Sequence, residues 1–198
     1  TGVYGRVGGP MVPMPRRSPV QPGELPGRPP AASAVPAAAA GMESVRDNRM
    51  NCVPENAING GNPYALMMIT TPGRLTTIDE FNHIVRRIYL DRPMPAQVTP
   101  TYTGYSVGHW DGDTLVVETR GIRAFRMAGG ALRTLDHVQE RIRRSADGRQ
   151  VERIARFVGW DADGQGIALE STFTYQQNPG QRLFEFICEE GAGDFNRP

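Results

Sequence analysis

Residues 102–121 read Y-T-G-Y-S-V-G-H-W-D-G-D-T-L-V-V-E-T-R-G. Two β-rich runs, 105–110 and 114–119, flank Asp111, Gly112 and Asp113. An Asp-Gly pair between such runs is a strong hairpin signal, because glycine supplies the positive φ of a tight hairpin turn. In the second run Leu115, Val117 and Thr119 fall on one face and Thr114, Val116 and Glu118 on the other. That alternation predicts at least one buried face. Trp110 closes the first run beside the turn.

Runs of the same kind surround the hairpin. Strands are predicted over 64–70, 74–80 and 83–90 before it, and over 135–143, 151–160, 167–175 and 182–188 after it. The turns between them read T-P-G at 71–73, D-G at 147–148, D-A-D-G-Q-G at 161–166 and N-P-G at 178–180. No 10–15 residue helical pattern intervenes. The expectation is an all-β fold, an antiparallel meander that removes its exposed edges by closing into a barrel.

The chain divides by composition into an extended arm, residues 1–41, and a barrel domain, residues 42–198. Gly2, Val3 and Tyr4 suit one short strand. From Gly8-Gly9-Pro10 to Gly41 runs a Pro/Ala/Gly tract that cannot build a core of its own. Its apolar residues Val7, Met11, Val12, Met14, Val20 and Leu25 recur between prolines as anchors. Proline lacks an N–H, so regular sheet addition is disfavoured over most of the tract. The expectation is an arm laid across neighbouring copies, giving a homo-oligomer that is either a ring or a filament, with an arm wrapped on its own barrel as the alternative.

Composition excludes several chemistries. At 198 residues and a formal net charge of +1, the chain suits one domain and offers no global attraction for nucleic acid or acidic membranes. No apolar run reaches the roughly 18 residues that span a bilayer. All 22 basic residues are arginine, which removes Schiff-base and Walker lysines together. Cys52 and Cys188 are too far apart for a C-x-x-C motif, and three histidines, His83, His109 and His137, make no local metal cluster. No metal and no cofactor are expected. The sequence starts at Thr1 without Met, which predicts a processed or truncated start such as removal of a secretory signal leaves. An N-terminal threonine can act as a nucleophile, but residues 2–10 supply no partnering base.

Several stretches together carry a resemblance. They are R-R-I-Y-L-D at 86–91, the run from Pro100 to Thr119, H-V-Q-E-R at 137–141, and F-E-F-I-C-E-E-G at 184–191. Over most of residues 52–191 the chain resembles a family of secreted bacterial proteins marked by G-x-S-x-G-x-W-[DE]-G-D-T-L-V-V-x-T. Gly2-Val3-Tyr4 is similar to the G-V-W that opens them, in the form of a lipocalin first strand. The resemblance implies a lipocalin-like barrel, secreted or periplasmic, and no particular reaction. The chain also departs from that pattern. Asp91-Arg92 lacks the glycine of D-G-R, Pro93-Met94-Pro95 stands for P-H-P, Leu132-Arg133 replaces a His-Ser pair, and Cys188-Glu189-Glu190 replaces C-H-E. If those histidines serve a site, this chain has lost several of them. In an exported protein Cys52 and Cys188 are expected to form a disulfide, which in the chain-entropy model stabilises by roughly 4 to 5 kcal/mol, with a pair of buried thiols as the alternative.

Among polar residues, Glu140 shares a face with Val138 and Ile142, so it is predicted to point into the barrel. A buried carboxylate must be paired, and Arg86 and Arg153 are offered as partners. Its alternative role is a general base of raised pKa, with His83 or His109 as companion. Ser106 in G-Y-S-V-G mimics a nucleophile elbow, but it enters a hairpin rather than a strand-to-helix turn, so a hydrolase built on this serine is rejected. Three functions remain open. They are a structural barrel that assembles with itself, a lipocalin-like carrier of a small apolar ligand, and a cofactor-independent lyase, isomerase or hydrolase using Glu140 and a histidine. A filled interior, an open apolar cavity, and a cavity with convergent His and Glu distinguish them in that order.

Overall fold

The computed structural model of the chain describes residues 1–7, 16–26, 64–122, 134–161 and 163–187. Ten strands run in chain order: β1 Gly2–Arg6, β2 Arg16–Ser18, β3 Leu66–Thr71, β4 Arg74–Asp79, β5 Val85–Leu90, β6 Tyr105–Asp111, β7 Thr114–Arg120, β8 Thr134–Arg144, β9 Gln150–Trp160 and β10 Gly166–Gln177. One 3-10 turn, Phe81–His83, joins β4 to β5. Among the described residues no helix is long and apolar enough to cross a membrane.

Nine strands close a barrel. β3 to β10 pair in sequence, and β1 seals the seam by pairing β3 on one side and β10 on the other. β2 stays off the ring, on the edge of β10. The all-β barrel is therefore as expected, with one departure from a pure meander. β5 and β6 are parallel, Ile88 facing Ser106 and Leu90 facing Gly108. Directions cannot alternate all the way around a ring with an odd number of strands, so a nine-stranded barrel requires a parallel neighbour pair. Residues 91–104 carry the chain back for it, entering through Asp91 at a φ of 58°.

The quoted hairpin forms with Asp111 opposite Thr114. Gly112 alone of the two turn residues has positive φ, 60°, which is the pattern of a type II′ turn. Alternation then fills the interior with Ile88, Leu115, Val117, Val138, Phe157, Leu169 and Phe173, each at most 2 % exposed.

Four expectations need correction or placement. Residues 2–6 belong to the barrel rather than to a separate arm, since Tyr4 is buried in the core cluster between β3 and β10. The expected strand over 182–188 does not join the sheet. Residues 181–187 instead run as an extended strap with no ladder, and Phe186 packs on Phe81 at 4.7 Å between ring centroids. The described part of the arm, residues 16–26, lies on its own barrel, because its β2 residues complete the β10 edge and Glu24 pairs with Arg156. Cys52, Cys188, Met11, Val12 and Met14 lie outside the described residues.

Candidate functional site

The polar centre of the barrel is a trio drawn from three strands. Register places Arg86 on β5, Glu140 on β8 and Arg153 on β9, all facing inward. Their exposures are 4 %, 1 % and 5 %. Glu140 Oε1 accepts from Arg86 Nη1 at 3.1 Å and from Arg153 Nε at 2.6 Å, while Oε2 accepts from Arg86 Nη2. Arg86 also donates through Nε to Ser106 Oγ at 3.1 Å and through Nη2 to Thr119 Oγ1 at 2.8 Å. The two hydroxyls bond each other at 2.9 Å. On its other side the Arg153 guanidinium lies over the Phe173 ring, 5.1 Å from its centroid. Each group brought into the core thus finds a charged or hydroxyl partner, as burial demands.

Electrostatics follow from that geometry. Burial by itself pushes the Glu140 carboxyl up, but the Arg86 and Arg153 charges and hydrogen bonds outweigh it and hold the group down to about 2. Glu140 in turn pushes Arg153 further up, against the effect of burial. A carboxylate with both oxygens engaged and so low a pKa is a poor proton acceptor at neutral pH. The arrangement is that of a core ion pair.

The neighbouring cavity, lined by Arg86, Arg153, Thr77, Asp79, Tyr64 and Tyr175 among others, has a volume of about 30 Å³. That suits a water molecule or two, whereas ligand pockets run to roughly 300 Å³ and above. The histidines do not converge on Glu140. His109 is exposed on β6 opposite Val116, and His83 is exposed in the 3-10 turn at a φ of 46°. His83 holds the C-terminal strap instead, its Nε2 accepting from the Phe186 N–H at 3.2 Å. The Phe184 N–H donates to Glu80 Oε2 at 3.1 Å beside it. Ser106, 1 % exposed and bonded to Arg86 and Thr119, is a structural hydroxyl. Among the described residues no three His, Cys, Asp or Glu side chains gather where a metal ion would sit.

A second cluster lies outside the barrel. Outward-facing Val158, Trp160, Ala168 and His137 are at most 4 % exposed, although the exterior of an antiparallel sheet is ordinarily wet. Residues 16–26 dock on this side. Ser18 faces Ala168 across the β2–β10 ladder, and Val20 and Leu25 close over Gly166. Arg156 of β9 is the clasp. Its Nε donates to Glu24 Oε1 at 2.7 Å and its Nη2 to Glu24 Oε2 at 2.9 Å, and it reaches Ser18 Oγ and the Pro19 carbonyl as well. The Arg156 hydrogen bond, with further help from the Gln21 N–H and the Arg156 charge, holds the Glu24 carboxyl below the usual carboxylate range against the effect of burial.

Sequence reasoning missed Arg156 and Glu24, yet two signals mark them. Glu24 is the single acidic residue among the first 42. In β9 the outward positions Ile154, Val158 and Trp160 are apolar like the inward Val151, Ala155 and Phe157, which marks a strand covered on both faces. Of the proposed assembly anchors, Val20 and Leu25 are half-buried against their own barrel, and Val7 remains 47 % exposed. Compared with known protein families, curated proteins and solved structures, the chain finds no match.

Proposed function

We propose that this protein is a structural barrel that works outside the cytoplasm by associating with copies of itself. The observation that carries the reading is the filled interior. Apolar side chains and the Arg86–Glu140–Arg153 trio occupy the space a carrier would give to a ligand, and the cavity beside them measures about 30 Å³. Glu140 is committed to two arginines and the histidines point elsewhere, so the residues that would run an enzyme are already holding the fold. What remains available is the outside. Trp110 at 56 %, Phe184 at 71 % and Ile187 at 72 % exposure leave apolar surface for a partner. The extracytoplasmic setting is proposed from the sequence resemblance alone.

Light scattering and electron microscopy on the full chain across a wide concentration range test this. The expected outcome is a discrete oligomer or filament whose population grows with concentration. A monomer at every concentration, together with saturable uptake of a lipophilic fluorescent probe, would return the protein to the carrier class.

A further inference from the structure

The clasp around Arg156 has the composition of a peptide-recognition site. It combines a short β-ladder for the backbone, a bidentate arginine for one acidic side chain, and an apolar step for two aliphatic ones. Nothing in that set requires the peptide to come from the same chain. The connection on one side is longer than its task. Arg6 faces Tyr175 and Arg16 faces Glu170, so ten residues of arm cover five positions of β10. Eight residues, the number in 8–15, span at most roughly 27 Å when fully extended, about the diameter of a small domain. On the other side residues 27–63 lead to β3, and β2 is not a member of the ring, so the barrel does not depend on which copy supplies it.

We infer that residues 16–26 are an exchangeable docking segment and that the outer face of β9 and β10 around Arg156 is their receptor, so that copies of this chain link by seating the segment on a neighbour. This rests on the self-association reading and names its contact. Glu24 selects the site, because its side chain is 6 % exposed at the clasp and a guanidinium with four contacts answers it. Reciprocal exchange closes a dimer, and one-way exchange propagates a chain of barrels.

The test uses charge reversal in the full-length protein. E24R and R156E each set like charges against one another within the chain and between identical copies, while an equal mixture of the two restores an opposite-charge pair only across copies. Circular dichroism of each variant verifies that the barrel persists. With one population carrying a heavy-isotope mass tag, native mass spectrometry counts mixed species. The expected result is about tenfold weaker association of each variant alone, mixed species predominating when they are combined, and wild-type association regained by the double variant E24R/R156E. If both variants associate as the wild type does, or the mixture forms no mixed species, this inference falls while self-association stands. If the wild type itself never associates, the self-association reading falls, and this inference with it.

Discussion

At Glu140 a carboxylate with 1 % exposure is stable in a barrel core because two guanidiniums and their hydrogen bonds replace the water it has lost. Removing one partner of such a set leaves charge buried without compensation, which typically costs about 3 to 5 kcal/mol. Glu140→Gln is therefore expected to lower unfolding stability by about that amount in urea melts. A loss under about 1 kcal/mol would mean the trio is incidental to the fold. The same residue sets an acid limb. The folded carboxyl sits at about 2 against 4.5 for the free side chain, so the unfolded state takes up the proton first as pH falls. Stability from this pair is full above about pH 5 and drains away towards pH 2, a change on the order of 3 kcal/mol that Glu140→Gln should abolish. Urea midpoints measured at intervals from pH 7 to pH 2 show whether the limb is present and whether the variant lacks it. That Glu140 turns inward was legible from its spacing to Val138 and Ile142. Arg86 and Arg153 were legible only as candidates, because which arginine crosses the barrel to meet it depends on register around the ring.

Among the elements, the hairpins were the most legible, because their turns are written in Asp-Gly and Pro-Gly pairs that fix local geometry. The bulge in β8 was not. Between Leu135 and His137 the register to β9 shifts by a residue, which lets Leu135 and Val138 both serve the core while His137 turns outward. Gly159 opposite is what permits it, since a Cβ there would stand 1.9 Å from the Thr134 carbonyl oxygen. Gly159→Ala is expected to destabilise by about 1 to 3 kcal/mol, as overpacking does, and to loosen Thr134 and Leu135 in hydrogen exchange. A melt within error of wild type would show that the strands can separate without cost. The C-terminal strap was misread as a strand because F-E-F-I alternates like one, whereas its backbone is taken up by Glu80 and His83. The strap also bears on the cysteines. Phe186 packs at a tilt against Phe81 and Phe81 stacks on Tyr64, so the strap that leads to Cys188 and the first described residue after Cys52 meet in one aromatic cluster. A disulfide between these cysteines is expected, and non-reducing mass spectrometry of the alkylated native protein checks it. Two alkylated thiols would dismiss it.

For the whole molecule, the decisive step is closure, and it is made by a strand that composition assigns to the arm. The Pro/Ala/Gly bias beyond residue 8 dominates any window across the N-terminus, so five residues of β1 are easily counted with the tract that follows. Their role becomes visible only in three dimensions, where Tyr4 lies opposite Leu66 on β3 and Gln177 on β10. Removing residues 1–7 would withdraw a 4 %-exposed tyrosine from the core and leave the β3 and β10 edges unpaired along the seam. The lost aromatic alone is comparable to a large-to-small core substitution, about 3 to 5 kcal/mol, and open edges invite aggregation. At about 2 to 4 °C per kcal/mol for a domain of this size, the truncated chain should melt some 10 °C lower or precipitate. Arg156→Ala is the control that separates the seam from the clasp. It releases Glu24 and Ser18 outside the ring, so it should speed proteolysis within residues 16–26 and move the midpoint by only a few degrees. Thermal melts of the two proteins side by side, followed by circular dichroism, decide the matter. If the truncated chain melts with the full one while Arg156→Ala collapses, the barrel is held by its arm and not by its ring.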